Sequence, residues 1–220
     1  MLLIRRIGGI EGCLIRSIFS FHNQEGESIK MGLYQQIRDY KAYNEQEEQD
    51  KRMMLQFIER NKDYLERTNE AGHFSVSAWV VNPDRTKVLM IYHNIYKAWS
   101  WIGGHADGEE DLKMVVMREL TEETGVKQAR LVSEAIFSLE SLTVDGHEKR
   151  GKYVPSHLHL NVTYLIVAQE DEGLVVKPDE NSGVQWFETE KALAACEEEW
   201  MVERIYRKLV EKSQKEEWGG

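Results

Sequence analysis

Three glutamates near the end of one short segment could hold a metal ion. The segment GHADGEEDLKMVVMRELTEETGV runs from Gly104 to Val126 and carries Glu119, Glu122 and Glu123. Residues three or four positions apart lie on one side of an α-helix, so these carboxylates would repel one another, at the end where the helix dipole disfavours anions. A solvated acidic helix end is the alternative, but a bound cation would remove that cost. An oxygen-rich site suits Mg²⁺ or Mn²⁺, and such sites serve phosphoryl chemistry.

The helix that would position these carboxylates begins near Glu109, after a turn at Asp107-Gly108, and ends at Gly125. One line along this helix, at intervals of i, i+4, i+7 and i+11, contains Leu112, Val116, Glu119 and Glu123. The line begins apolar, where it would pack on the protein body, and it ends in carboxylates that point the same way.

The same segment resembles the signature of the Nudix hydrolase family, G-x5-E-x7-R-E-U-x-E-E-x-G-U, in which U is an aliphatic residue. Every fixed position is matched, by Gly104, Glu110, Arg118, Glu119, Leu120, Glu122, Glu123, Gly125 and Val126. The resemblance implies a MutT-type hydrolase with an α/β/α sandwich around a mixed β-sheet. It also implies that the three glutamates bind the metal, beside a carbonyl oxygen of Gly103 or Gly104. Arg118 would hold one of these glutamates in place.

Many members of the family use a further acidic residue on a late loop, as a base or as an extra metal ligand. Glu180 is the candidate here, in the predicted loop Asp179–Gly183. An ordinary solvated charge is the alternative for this residue. The chemistry that the resemblance implies is attack of a metal-activated water on a diphosphate.

Five residues outside this segment are candidates for binding the substrate. His157 and His159 alternate on a polar strand face that could look into a cleft, or they could be structural histidines. Arg150 and Lys152 lie in a polar loop, where they could hold phosphates or serve as ordinary surface charges. Trp99 could stack on a base or pack in the core.

The substrate is less well defined than the reaction. The extra signatures that accompany activity on ADP-ribose, diadenosine polyphosphates, NADH or coenzyme A are not found. The segments GHFSVSAWVVNPD and PSHLHLNVTY resemble a bacterial Nudix subgroup whose members are mostly of unassigned substrate. We therefore expect Mg-dependent hydrolysis of a nucleoside diphosphate linked to another group. A non-catalytic nucleotide sensor is one alternative. An isoprenoid diphosphate isomerase is the other; it needs a cysteine near the active centre, whereas Cys13 and Cys196 fall outside the predicted core strands.

Composition limits the partners of the protein. A formal net charge of −10 over 220 residues argues against nucleic acid or an anionic membrane as the main partner. It does not argue against a nucleotide, whose phosphates a divalent metal can screen. Two widely separated cysteines predict neither a metal site nor a disulfide, so we expect a reducing cytoplasm. The expected partner is a small nucleotide, and assembly as a homodimer is left open.

Four regions follow one another along the chain. Residues 1–30 differ in character from the rest, either as a non-native extension before a natural start at Met31 or as a genuine terminal segment. Residues 31–70 form a helical segment, helical over Gly32–Glu66. Residues 71–212 form the Nudix domain, and residues 213–220 form a frayed tail. Strands are predicted at Phe74–Val81, Lys87–Tyr92, Ala98–Ile102, Leu131–Leu142, His157–Ala168 and Val184–Phe187, and C-terminal helices at Thr189–Ala195 and Glu198–Leu209.

Overall fold

The computed structural model describes residues 32–149, 151–171 and 173–215. The N-terminal extension, the candidate Arg150 and most of the predicted tail therefore lie outside the described residues.

Strands and helices alternate along this part of the chain. The strands are β1 (Gly72–Val81), β2 (Lys87–His93), β3 (Ala98–Ser100), β4 (Ile102–His105), β5 (Ala129–Leu131), β6 (Ser138–Val144), β7 (His147–Lys149), β8 (Lys152–Val154), β9 (His157–Ala168) and β10 (Asn181–Glu188). The helices are α1 (Leu33–Asp39), α2 (Glu45–Arg60), α3 (Leu112–Thr124), α4 (Thr189–Ala195), α5 (Glu199–Met201) and α6 (Arg207–Ser213), with a π-helical turn at Val202–Tyr206 between the last two. Among the helices of these described ranges, none has both the length and the apolar character needed to cross a membrane.

A mixed sheet forms the centre of the fold. Its longest pairing is parallel and joins β1 to β9, from Gly72 opposite Leu158 to Val81 opposite Val167. The main strand order is β10-β2-β1-β9-β5, and β3, β4 and β6 pair antiparallel with β2, β1 and β9. Because β4 pairs with β1, the two glycines at the start of the acidic segment lie beside this central pair.

Helices cover both faces of the sheet, because successive side chains of a strand point to opposite sides. One face packs against α1, α2 and α3 through Phe74, Val76, Ala78 and Val80. The other face packs against α4 and the C-terminal helices through Trp79 and Val81. These two layers confirm the predicted α/β/α sandwich with its N-terminal helical segment.

Helix boundaries differ from the predicted ones. The helix expected over Gly32–Glu66 is two helices, and the second ends at Arg60. The Asn44 side chain starts α2 by accepting the Glu47 N–H, and the Asn61 side chain ends it by donating to the carbonyl oxygen of Phe57. Similarly, α3 begins three residues later than expected, because the chain first turns through left-handed conformations before reaching the helix.

Strand boundaries differ as well. The strand expected over Leu131–Leu142 is two strands, β5 and β6, which pair with different parts of the long β9. The loop expected over Val144–Pro155 contains the hairpin β7–β8, with Gly151 at φ +73° in its turn. Glu148, Lys152 and Tyr153 are exposed, and the hairpin carries no alternation of apolar and polar residues that would mark it in the sequence. The loop expected over Asp179–Gly183 is shorter, because β10 already begins at Asn181.

Candidate active site

Helix α3 carries the predicted stripe of apolar and acidic side chains. Leu112 and Val116 are buried near its start, and Glu123 is only 3% exposed near its end. Glu119, one turn earlier, keeps 14% of its side chain exposed. The helix closes at Gly125, whose φ of +77° is readily adopted by glycine. The stripe therefore ends in two largely buried carboxylates next to β4, which α3 contacts.

Strand β4 approaches Glu119 closely because it carries no side chain there. A Cβ atom at Gly104 would lie 2.5 Å from Cδ of Glu119. A Cβ atom at Gly103 would lie 2.4 Å from the carbonyl oxygen of Val76 on β1. The two glycines thus let the sheet and the carboxylate come into direct contact.

A third carboxylate comes from the loop before β10. Carboxylate oxygens of Glu119, Glu123 and Glu180 all lie within 4.8 Å of one another. The loop is held on both sides of Glu180. The side chain of Asn181 donates a 2.9 Å hydrogen bond to the carbonyl oxygen of Glu123, and the Asn94 N–H donates a 3.0 Å bond to the carbonyl oxygen of Glu180. The structure therefore places the late-loop candidate together with the helix glutamates.

Glu122 lies at the rim of this group, and 46% of its side chain is exposed. Lys177 bridges it to Glu180, with Nζ 3.1 Å from a carboxylate oxygen of each. Arg118 is about half exposed, and its guanidinium lies 3.4 Å from Glu119 and 4.0 Å from Glu122. The predicted contact between Arg118 and a glutamate of the Nudix signature is thus present at the surface of the site.

The buried carboxylates lack enough positive charge to balance them. Burial, together with the neighbouring carboxylates of Glu180 and Glu119, raises the pKa of Glu123 to about 9. Burial also raises the pKa of Glu119. One carboxylate oxygen of Glu123, Oε2, is buried and has no hydrogen-bond partner. Clustered carboxylate oxygens with an unpartnered atom are the donor set that a hard cation such as Mg²⁺ or Mn²⁺ takes.

An aromatic cleft of about 180 Å³ lies beside β4. Its lining includes Tyr96, Trp99, Trp101 and Tyr206, together with Gly103 and Gly104. The edges of the Trp99 ring contact Tyr92 and Phe187, with ring centroids 5.6 and 4.8 Å away. This tryptophan therefore packs on the core and lines the cleft at once.

A comparison with family models identifies the family of this chain. The model of the NUDIX domain matches residues 71–209. The chain belongs to the Nudix family. It is a Nudix hydrolase, an enzyme that acts on phosphorus-containing acid anhydrides, and the expected membership of the Nudix family is confirmed.

Solved Nudix structures are similar to this chain at low sequence identity. A Caenorhabditis elegans Ap4A hydrolase complex is 19% identical and has a TM-score of 0.45, covering 63% of this chain and 93% of that one. A Nudix hydrolase from Clostridium perfringens is 19% identical with a TM-score of 0.46, covering 63% and 96%. The dihydroneopterin triphosphate pyrophosphohydrolase of Escherichia coli is 15% identical with a TM-score of 0.46, covering 62% and 94%. No curated protein sequence matches the chain.

The remaining candidates of this Nudix hydrolase lie around a second cavity of about 570 Å³. His157, His159 and Lys152 line it, and the two histidines meet two further ones, His73 and His105. His105 directly follows Gly103-Gly104, and His73 precedes the predicted first strand, but no spacing in the sequence joins these two histidines to β9.

The sequence also did not identify Lys177 and Asn181 as residues of the site. Both flank Glu180 within four residues, so the polar loop that carried the candidate also carried the residues that position it. Their partners lie on α3, more than fifty residues away, and only the fold brings them together.

Proposed function

We propose that this Nudix hydrolase cleaves the diphosphate bond of a nucleoside diphosphate linked to another group, with Mg²⁺ or Mn²⁺ as cofactor. One observation carries the proposal. Glu119, Glu123 and Glu180 converge within 4.8 Å, and Glu123 keeps a buried oxygen without a partner. Like charges placed so closely at the end of a helix favour a cation between them.

The three converging glutamates would hold the cation, and Glu122 and the carbonyl oxygen of Gly104 would complete its ligands. When bound, a divalent cation offsets the charge of the diphosphate and activates water for attack on phosphorus. Lys177 bridges Glu122 and Glu180 with one ammonium group beside the cluster. Arg118 would orient Glu119 and Glu122 from the surface, where its guanidinium also remains accessible to a phosphate.

The aromatic cleft would bind the base. Stacking on an aromatic ring suits every base, because each base has a π-face. Trp99 is fixed by its contacts with Tyr92 and Phe187, so it offers a pre-organised wall. Gly103-Gly104 line the cleft, and Gly104 also approaches Glu119, so base and diphosphate would bind at neighbouring parts of β4.

The second cavity would receive the group linked to the diphosphate. Lys152 offers it a positive charge, and His157 and His159 line the same cavity. Arg150, the other predicted phosphate-binding residue, lies outside the described residues. This arrangement favours a substrate whose linked group is anionic or rich in acceptors.

The reaction is tested with a panel of nucleoside diphosphate conjugates, nucleoside triphosphates and an isoprenoid diphosphate, each with Mg²⁺ or Mn²⁺ and with EDTA. Products are resolved by phosphorus NMR after turnover in oxygen-18 water, which shows the phosphorus atom that was attacked. We expect turnover of a conjugate that EDTA abolishes. Binding without turnover would instead indicate the sensor, and rearrangement without oxygen-18 uptake would indicate the isomerase. Cys196 does line the cleft, but burial raises the pKa of its thiol to about 12, which makes it a poor acid–base group for that isomerase.

A further inference from the structure

Four histidines from three strands converge on one side of the sheet. His73 lies on β1, His105 on β4, and His157 and His159 on β9. The ring of His73 is at the centre, with centroids 5.1, 5.0 and 5.1 Å from those of His105, His157 and His159. Every histidine among the described residues lines the adjoining cavity. Such a concentration of imidazoles on three separate strands calls for a physical cause.

The ring nitrogens are spaced as metal ligands are. Nε2 of His159 lies 3.2 Å from Nε2 of His105 and 3.1 Å from Nε2 of His157. Two imidazoles bound to one tetrahedral Zn²⁺, with Zn–N about 2.0–2.1 Å, hold their nitrogens about 3.4 Å apart. Ligand atoms of His73, His105 and His159 also lie within 4.8 Å of one another.

One ring nitrogen, Nε2 of His159, takes part in two close contacts. A neutral imidazole carries one proton on its two nitrogens. Nδ1 of His157 donates to the carbonyl oxygen of Pro155 at 2.8 Å, so its Nε2 presents a lone pair to His159. Nε2 of His159 also lies 3.2 Å from Nε2 of His105, so at most one N–H of His159 faces both neighbours. A cation among the nitrogens would accept lone pairs from several of these rings at once.

His73 points to the same conclusion independently. It is only 4% exposed, and its Nδ1 lies 3.3 Å from the carbonyl oxygen of Asn69, which directs the ring proton to that side. Its Nε2 is buried and has no hydrogen-bond partner. Metal-bound histidines commonly donate the other ring N–H to a backbone carbonyl, as His73 and His157 do here.

The histidines are separate from the glutamate cluster. A Cβ atom at Gly104 would point at the carboxylate of Glu119. Neighbouring side chains of a strand point to opposite faces, so the side chain of His105 is directed to the other face of β4. Each group therefore has its own coordination space, and nitrogen donors select a different metal from carboxylates.

We propose that His73, His105, His157 and His159 bind one divalent transition-metal ion such as Zn²⁺, at a second metal site on the opposite face of β4 from the glutamates. The ion would join β1, β4 and β9 where the second cavity opens. The carbonyl groups of Asn69 and Pro155 would fix two of the rings as ligands. This proposal stands whether or not the glutamate cluster binds Mg²⁺.

The test is a titration of the full chain with Co²⁺ in the presence of excess Mg²⁺, followed by the visible absorption of tetrahedral Co²⁺ and by displacement with Zn²⁺. We expect one ion per chain. Loss of a hydrogen-bond partner of a metal-bound histidine already costs about 10–100-fold in metal affinity. His105→Gln and His157→Gln should therefore each weaken Co²⁺ binding by about 100-fold or more. Both residues are half-buried, and thermal melting of each variant checks that it folds.

Two control variants locate the ion. His147→Gln removes a histidine of the same cavity, whose ring is 6.5 Å from that of His157, and should leave the affinity unchanged. Glu123→Gln changes the glutamate cluster and should also leave the Co²⁺ spectrum unchanged. Full Co²⁺ affinity in both His105→Gln and His157→Gln would overturn the proposal. Loss of the Co²⁺ spectrum in Glu123→Gln, with the spectrum kept in both histidine variants, would overturn it as well. Either result is independent of the diphosphate assay.

Discussion

Buried carboxylates occur at two places in this molecule, and their neighbours differ. Glu123 on α3 faces two other carboxylates, those of Glu119 and Glu180, and its pKa is raised to about 9. Glu47 on α2 and Glu140 on β6 are fully buried, yet Nζ of one lysine, Lys208, lies 3.0 Å from an oxygen of each. Burial alone would raise the pKa of Glu47, and the ammonium groups of Lys208 and Lys212 hold it below its usual value.

The cluster in which Glu47 and Glu140 are paired with lysines is also saturated with hydrogen bonds. Oε2 of Glu47 accepts from the hydroxyl of Tyr40 at 2.6 Å and from the N–H of Tyr43 at 2.7 Å. Its other oxygen accepts from Ser138 at 2.7 Å and from Lys212 at 3.1 Å. These bonds join α1 and α2 to β6 and to the C-terminal helix, so the network fastens both ends of the described chain to the sheet.

The difference shows what each set of charges is for. A buried carboxylate with two ammonium groups and full hydrogen bonding has no capacity left for a ligand, and it fixes the packing of its elements. A buried carboxylate among other carboxylates keeps that capacity and costs stability until a cation arrives. Replacing Glu by Gln at the two places, which removes one charge and little volume, should therefore have opposite consequences.

The largest effect is expected for Glu47→Gln. The change leaves Lys212 and Lys208 buried with less negative charge, and breaking a buried pair in this way costs about 3–5 kcal/mol. The free energy of unfolding, measured by urea titration, should fall by that amount. Glu48→Gln is the matched control, since its carboxylate is exposed on the same helix turn and the change should stay within about 0.5 kcal/mol. Equal stability of the two variants would contradict the role of the network.

The cost of Glu47→Gln should depend on pH. Because the folded pKa of Glu47 lies below its unfolded value, its charge contributes stability above the unfolded pKa, and this contribution is lost as the pH falls through the folded pKa. The difference in unfolding free energy between wild type and variant should be constant above about pH 5 and should shrink at lower pH. Urea titrations at several pH values measure it. A difference that grows on acidification would show that the charge is not stabilising.

The spacing of the two clusters along the chain explains which of them was predictable. Glu119 and Glu123 lie on one turn of one helix, so their spacing alone predicts a shared face. Glu47 contacts Ser138 and Lys212, which are 91 and 165 residues away, and no local pattern links them. The faces of β1 and β9 followed from alternation, whereas Glu180 was predicted only from the family resemblance. The four histidines meet across three strands, and only the register of β1, β4 and β9 brings them together.

Glu123→Gln should lower kcat by about 10²-fold, as loss of an electrostatic stabiliser does. That factor corresponds to about 2.7 kcal/mol at the transition state. Stability should be unchanged or higher without metal, because repulsion from Glu119 and Glu180 is relieved. Turnover and melting temperature are measured on the substrate that the panel identifies. Glu134→Gln, at a carboxylate that is 84% exposed, is the control for charge alone. Normal turnover in a folded Glu123→Gln protein would remove α3 from the catalytic site.

The smallest effect is expected for Lys177→Gln, which removes a positive charge beside the glutamate cluster. Lys177 lies 3.1 Å from both Glu122 and Glu180, and these two carboxylates are partly exposed, so the loss of stability without metal should stay below about 1 kcal/mol. With one positive charge removed beside the cluster, Mg²⁺ or Mn²⁺ should bind a few-fold more tightly. Metal titration followed by melting temperature measures both effects, since a ligand that binds only the folded state raises its stability. Lys191→Gln is the control, because this lysine forms a mostly exposed ion pair with Glu188, which belongs to neither cluster of buried glutamates. Weaker metal binding in Lys177→Gln would mean that this lysine supports the carboxylates as ligands rather than competing with the cation for them.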